Sequence, residues 1–380
     1  MKKSQGLLMG YIAVSLALFL FSYTQVDLNL TLSRVGPMQV IQKAFQHIGF
    51  YQRPLSAGIY IGIIAALFFL YGRVLTLTRT GVLGIRDLSK IIVCAVVILV
   101  FSYPAAFSYD FFNYLFTAKT VLVYHQNPYT VTPLQFSGID PWTNFMRWTH
   151  LTSAYTPLWI GLSLVPYIVG LGYFITVLFA TKIMVAGFYV LAVYALAKAV
   201  NKSGTMHPAY PVAMVALNPL ILIESLVSGH NDIVLVSLAM LSVWMYMDKK
   251  IYASWLYLGL SVAAKLMTIF LIPVYLLRKN KDWMLAAMAL GLVAVLLQRE
   301  FLPWYGVWVL PFVALNYEMT KIVRLSIIVS VGLLLSYVPY LYLGEYSVTE
   351  SLWKTGFVWG GIVLGLMSLI LPDRSQISGK

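Results

Sequence analysis

Long, unbroken apolar runs separated by short basic loops dominate this sequence, and they leave very few folds open to it. Runs such as 7–21, 56–77 and 174–198 carry almost no charge. Crossing the ~30 Å hydrocarbon core of a bilayer takes about 20 apolar residues in a helix. In lipid the backbone has no water to bond, so only helices or closed barrels can span. The runs are continuous rather than alternating, which excludes a barrel. Only 10% of the 380 residues are charged and 60% are hydrophobic, against roughly a quarter charged in soluble domains. The expectation is an all-α, polytopic transmembrane bundle of about 10–13 membrane helices, short or re-entrant ones included.

The pattern predicts helices over 6–25, 56–77, 90–107, 174–198, 209–227, 232–247, 282–298, 303–316, 322–342 and 354–371. Residues 155–172 are apolar but interrupted by Pro157, Pro166 and Gly170, which reads as a re-entrant or interfacial helix. Residues 251–277 are too long for one simple span and carry Lys265 midway, so a short hairpin or a broken helix fits. Three segments follow: an N-terminal hairpin with a basic loop (1–88), a central core (89–317) and C-terminal helices (318–380). No internal repeat or low-complexity linker is evident.

The net charge of +13 does not point to nucleic acid, because the basic residues sit in short loops between apolar runs. That is the positive-inside pattern of membrane proteins. With the N-terminus cytoplasmic, the loops on its side hold most of the 26 Lys and Arg residues, from Lys2 and Lys3 through to Arg374 and Lys380. The other side holds Arg34, Lys43, Arg53, Lys119, Arg147, Arg299 and Lys354, while Lys182 and Lys265 fall at membrane depth. The expected location is the plasma membrane, with both termini cytoplasmic. The long polar loop 108–154 and the turns near 228–232 and 299–305 then lie outside. Lys2, Lys3 and the apolar run after them read as an uncleaved first helix rather than a signal peptide. Cys94 is the single cysteine, so no disulfide forms within the chain.

With only 13 acidic residues, each can be weighed. Asp110 follows a helix end among aromatics, where partial desolvation raises a carboxylate's basicity and suits it to act as general base; a solvated helix terminus is the plainer alternative. Gly229-His230-Asn231-Asp232 gathers an imidazole, an amide and a carboxylate just after Glu224. Asn231 or Asp232 would serve there as an N-cap, and a helix start also attracts phosphate. Lys265 stands alone in an apolar run, which is costly and marks function unless the side chain snorkels to an interface. Lys182 has no acid nearby on its helix. Trp304 and Tyr305, after Arg299, suit stacking on a sugar, though such residues also form interfacial belts. Asp27 reads as a solvated helix end. No Cys/His cluster has zinc spacing, and no glycine-rich phosphate loop follows a strand.

Together these stretches resemble the GT-C superfamily of polyprenyl-phosphate-sugar glycosyltransferases, and most closely the bacterial mannosyltransferases that use polyprenyl-phosphate mannose. Ser108-Tyr109-Asp110 through Tyr114, then Asn127-Pro128-Tyr129, is similar to that family's first large outer loop with its catalytic acid. Tyr155-Thr156-Pro157-Leu158-Trp159 resembles its Tyr-x-Pro-Leu segment. Asn218-Pro219-Leu220 through Glu224 to Asp232 resembles its second acidic loop. Lys265 before Leu271-Ile272-Pro273, and Pro303-Trp304-Tyr305, match its lysine and Pro-Trp-Tyr elements. The likeness covers about 90–315. In many members the catalytic loop follows the first helix, whereas here two helices precede the one that leads into it, so residues 1–88 read as an added hairpin; otherwise Asp27 would rival Asp110.

The resemblance implies a GT-C-like membrane core in which a sugar, mannose by family likeness, passes from a polyprenyl-phosphate donor to a hydroxyl of a glycan, lipid or protein acceptor. Asp110 would be the base of a single inverting displacement. Lys265, Arg299 and amides near Asp232 would receive the phosphate. His230, Asn231 and Tyr129 would orient sugar or acceptor, with Tyr109, Tyr114, Asn127, Glu224, Trp304 and Tyr305 as further binding residues. No cofactor is required, and a divalent cation held by Asp110 and Asp232 is optional. A transporter or flippase explains the helices and Lys265 equally well, but transporters tend to carry paired repeats with matching broken helices, and none is visible. A structural subunit would leave the acidic motifs incidental.

Overall fold

A computed structural model describes residues 2–372, and within them the chain is helical with no strand. The main helices are α1 (Lys2–Tyr23), α2 (Gly36–Gln46), α3 (Arg53–Arg79), α4 (Ile85–Leu99), α5 (Asp110–Leu122), α6 (Pro157–Val169), α7 (Phe174–Lys202), α8 (Ala209–Ala216) and α9 (Pro219–Ile221). They continue as α10 (Asp232–Met247), α11 (Ile251–Ala264), α12 (Leu271–Leu276), α13 (Lys281–Leu296), α14 (Pro303–Gly306), α15 (Leu310–Leu315), α16 (Thr320–Leu335), α17 (Val338–Leu343) and α18 (Val348–Ser368). Among the described residues, Ser4–Tyr23, Arg53–Arg79, Phe174–Lys202 and Thr320–Leu343 are long and apolar enough to cross a membrane, and the bent pair Ala209–Ala216 and Pro219–Val227 makes a fifth. Arg374 and Lys380, counted above for sidedness, lie outside the described residues.

The buried centre is α10, clasped by α7 and α11; it shows almost no surface along its first three turns. Helix α1 packs on α3 and α4, and α16 on α18. The last pair approaches closely because both helices present glycine. A Cβ added to Gly332 would lie 2.8 Å from Gly361 Cα and 2.8 Å from the Phe357 carbonyl. Small residues at a crossing let backbones meet, which drives helix association in lipid.

Several runs expected to be single spans are broken, and proline explains most of the breaks. Proline lacks an N–H and crowds the carbonyl four residues back, but it suits a first helical turn. Pro219 and Pro311 each fall in the first turn of a new short helix, so 209–227 bends by 45° and 303–316 divides into α14 and α15, whereas 322–342 has only a turn at Ser336-Tyr337, before Pro339, and stays one span, Thr320–Leu343. The 90–107 helix stops at Leu99. Residues 251–277 form a broken helix, with Lys265 extended at the break (φ −164°, ψ 133°). Segment 155–172 is the 13-residue α6, about 20 Å long and short of a full crossing.

The largest correction concerns 108–154. It is not simply a polar loop, because its first part is α5, whose residues Phe111, Phe112, Tyr114, Leu115, Phe116 and Ala118 are buried. Asp110, Asn113 and Lys119 dilute the apolar pattern, but the helix is buried nearly all round, with 114–118 buried without a break. Helix α2 is a second addition, with Pro37 in its first turn, and is tied back when Gln46 donates to the Asp27 carbonyl at 2.8 Å.

Candidate active site

One cavity of about 620 Å³ opens where α5, the 155–156 turn, the start of α10, the break at Lys265 and the 299–305 turn converge. Tyr109, Asp110, Tyr114, Asn231, Asp232, Lys265, Arg299, Trp304 and Tyr305 all line it. Residues spread over nearly 200 positions therefore face one space. Asp27 does not line it. Its carboxylate accepts from the Tyr103 hydroxyl at 3.3 Å instead.

Asp110 is the first residue of α5, in the segment between α4 and α6. Its backbone N–H donates to Ser108 Oγ at 3.3 Å. Burial pushes its carboxyl above the ordinary carboxylate range. The positive fields of His230 and Lys265 work against that rise, the Asp232 carboxylate adds to it, and a hydrogen bond from Trp148 favours the anion. A partly desolvated carboxylate facing a cavity is a capable general base.

Asp232 is buried, and its Oδ1 accepts from Lys265 Nζ at 2.6 Å and from Trp308 Nε1 at 2.5 Å. The broken helix delivers the lysine. Thr156 Oγ1 donates to the Ala264 carbonyl at 3.1 Å. Ser261 Oγ donates to the Leu235 carbonyl at 2.8 Å and lies 2.9 Å from Thr268 Oγ1. The extended residue between these ties turns its ammonium toward α10. That ammonium is also 5.2 Å from the Trp308 ring centre, within cation–π range, and its side chain is one-third exposed to the cavity. Arg299 also lines the cavity, with its guanidinium near the Tyr305 hydroxyl. Among the described residues no three of His, Cys, Asp and Glu come together as a metal-binding group.

The 229–232 turn is held from beneath. Asn231 occupies the N-cap position of α10 without making a side-chain cap bond; its amide oxygen and its N–H both lie 3.4 Å from the Tyr114 hydroxyl. Gly229 has φ +70°, and a Cβ there would come 2.7 Å from the Phe111 ring. Lys182 is fully buried and donates to the Leu226 carbonyl and, at 2.6 Å, to that of Val227, carbonyls left over where a π-turn (Leu222–Val227) ends. The lysine on α7 thus finds backbone oxygens rather than an acid.

Four residues expected to bind ligand do not line the cavity. Glu224 and His230 are buried behind it, with His230 Nδ1 2.7 Å from Glu224 Oε2 and the Tyr337 hydroxyl donating to Glu224 Oε1 at 2.8 Å. The His230 ring lies 4.2 Å from that of Trp304, so the pair braces the wall. Asn127 spends its side-chain oxygen on the Tyr129 N–H at 3.0 Å, and the Tyr129 hydroxyl donates to the Tyr155 carbonyl at 2.8 Å. Both shape the loop over the site. Sequence reasoning left out Trp148, Trp308 and Tyr337, which read as ordinary interfacial aromatics, and it gave no role to Glu300, Glu350 or Lys354, which also line the cavity.

No curated protein and no solved structure matches the chain. A family model does match, described as alpha-(1->6)-mannopyranosyltransferase, N-terminal domain, over residues 7–281. The match begins in α1, and it contains Asp110, Asp232 and Lys265 but not Arg299, Trp304 or Tyr305. With an all-helical membrane bundle and well over half of its length matched, the chain belongs to this family of GT-C-like mannosyltransferases.

Proposed function

We propose that the chain transfers mannose from a polyprenyl-phosphate donor to a primary hydroxyl of an acceptor, by a single displacement at the outer face of the plasma membrane. The observation that carries this reading is that Asp110 and the Lys265–Asp232 pair face the same cavity. Asp110 accepts the acceptor's hydroxyl proton as its oxygen bonds to the anomeric carbon. The bond from that carbon to the phosphate oxygen breaks, and its electron pair leaves with the lipid phosphate. Lys265 and Arg299 are the cations placed to meet that charge as it develops, which is where fixed charge lowers a barrier most. An α-linked product made with inversion requires a β-linked donor.

Sidedness is supported by contacts between loops. Away from the cavity, Arg79 lies over Tyr210, Lys281 pairs with Glu318 at 2.8 Å, and Lys202 pairs with Asp248. These basic loops gather at the end expected to be cytoplasmic. A lipid carrier suits the cavity's position among membrane helices, and the donor is the direct test. Purified protein should transfer mannose from polyprenyl-phosphate mannose and not from GDP-mannose; the reverse preference would refute the lipid donor.

A further inference from the structure

The cavity continues past the Asp110 and Lys265 region to the start of α18, where Glu300, Tyr340, Tyr346, Glu350 and Lys354 line it. These residues fall outside the family match. Glu350 is the informative one. It sits in the first turn of α18, three residues after the N-cap Ser347, whose Oγ accepts from its backbone N–H at 3.2 Å. In a reciprocal capping box the Glu carboxylate would reach back to the cap. Here it does not: Glu350 is only 6% exposed, lines the cavity, and no described residue hydrogen-bonds its carboxylate. Lys354, one turn along, is engaged by Glu300 at 3.0 Å instead. With no described residue donating to it, that carboxylate is left to whatever enters the cavity, water or a ligand hydroxyl.

The neighbouring surface narrows what that is. The rings of Tyr340 and Tyr346 stack at 4.7 Å and 24°, and the Tyr346 ring is largely exposed. Aromatic faces accept flat apolar surfaces such as the C–H face of a pyranose, and an ionised carboxylate can only accept hydrogen bonds. Lys354 offsets Glu300, which leaves Glu350 as the carboxylate without an ion-pair partner on this part of the wall and disfavours an anionic group there, whereas Lys265 lines the part beside Asp232 and Arg299 the part beside Tyr305. Resting on the reading of the preceding subsection, we propose that this end is the acceptor subsite. It binds an uncharged pyranose unit, with Glu350 accepting from ring hydroxyls and Tyr346 stacking beneath. The phosphate-bearing donor then enters from the side of Lys265 and Arg299, and the acceptor hydroxyl reaches Asp110 from the side of Glu350.

The test uses full-length protein in detergent, polyprenyl-phosphate mannose as donor, and a neutral α-mannoside disaccharide and its single-deoxy analogues as acceptors. Glu350→Gln should raise the acceptor KM about tenfold, the scale of one hydrogen bond to a charged group, with the donor KM within about twofold. At least one deoxy analogue should lose as much with wild type and nothing more with the variant. Tyr346→Ala, at an exposed position that tolerates truncation, should raise the acceptor KM in the same selective way. Transfer by wild type with acceptor KM unmoved in both variants, or with donor and acceptor KM rising together, overturns the subsite while leaving the donor chemistry standing. Absence of transfer by wild type overturns the donor reading and the subsite with it.

Discussion

Lys265 and Asp232 meet at 2.6 Å because a helix that stops one residue short of the lysine turns its ammonium toward the first residue of α10. Trp308 closes the same oxygen from the other side. The carboxylate is buried and the lysine is not, so the pair fixes a cation at the cavity wall while leaving part of it open to a ligand.

Removing one partner should therefore cost more than removing both charges. Lys265→Met leaves the Asp232 carboxylate with Trp308 alone and should lower thermal stability by about 1–3 kcal/mol. Asp232→Asn combined with Lys265→Gln should recover most of that loss. Both proteins should lose transfer by about 100-fold or more, the scale of a lost transition-state cation. Unfolding in detergent and transfer rates, measured on the same preparations, check both halves.

The pH profile should carry the mark of Asp110. A base works only when deprotonated, and burial raises this carboxyl. Activity should thus fail on acidification at a pH above the ordinary carboxylate value of about 4. Replacing Lys265 with Gln removes a field that holds the carboxyl down, so the acid limb of kcat/KM should move higher still. A limb that stays put would show that the titrating group lies elsewhere.

Gly229→Ala tests the turn beneath the site. The backbone there is left-handed (φ +70°) and a Cβ would meet Phe111. The strain is on the order of 1–2 kcal/mol, and relieving it moves the residues that present Asp232. The expected result is a folded protein with kcat reduced about tenfold or more, read by single-turnover kinetics beside a melting curve.

At the α16–α18 crossing, Gly332→Val places a side chain where the Gly361 backbone now lies. The helices must separate, and the melting temperature in detergent should fall by several degrees, the response expected of overpacking by about 1–3 kcal/mol. Because α18 carries Glu350, acceptor KM should rise with it.

Much of this was legible in the sequence, for identifiable reasons. Ionisable residues inside apolar runs are conspicuous, which is why Asp110, Asp232 and Lys265 could be singled out before their common cavity was known. The break at Lys265 was visible as a run too long for one span. Helix α5 was hidden because Asp110, Asn113 and Lys119 interrupt an otherwise apolar helical face. Glu224 and His230, expected to bind ligand, lie behind the cavity instead: a π-turn shifts the helical register, and sequence does not reveal which way the residues in and after it then face. Trp308, Glu300 and Glu350 lie up to 240 positions from Asp110. Aromatics and isolated acids of that kind also occur at any membrane interface.

The most direct test of the central claim compares transfer of radiolabelled mannose from polyprenyl-phosphate mannose by wild type and by Asp110→Asn, with matched melting curves. Near-isosteric Asn keeps the shape and removes the base. Transfer by wild type, together with a loss of at least about 1000-fold in a variant that melts like wild type, is the predicted result. Undiminished transfer by the folded variant would contradict the account and remove Asp110 from the chemistry.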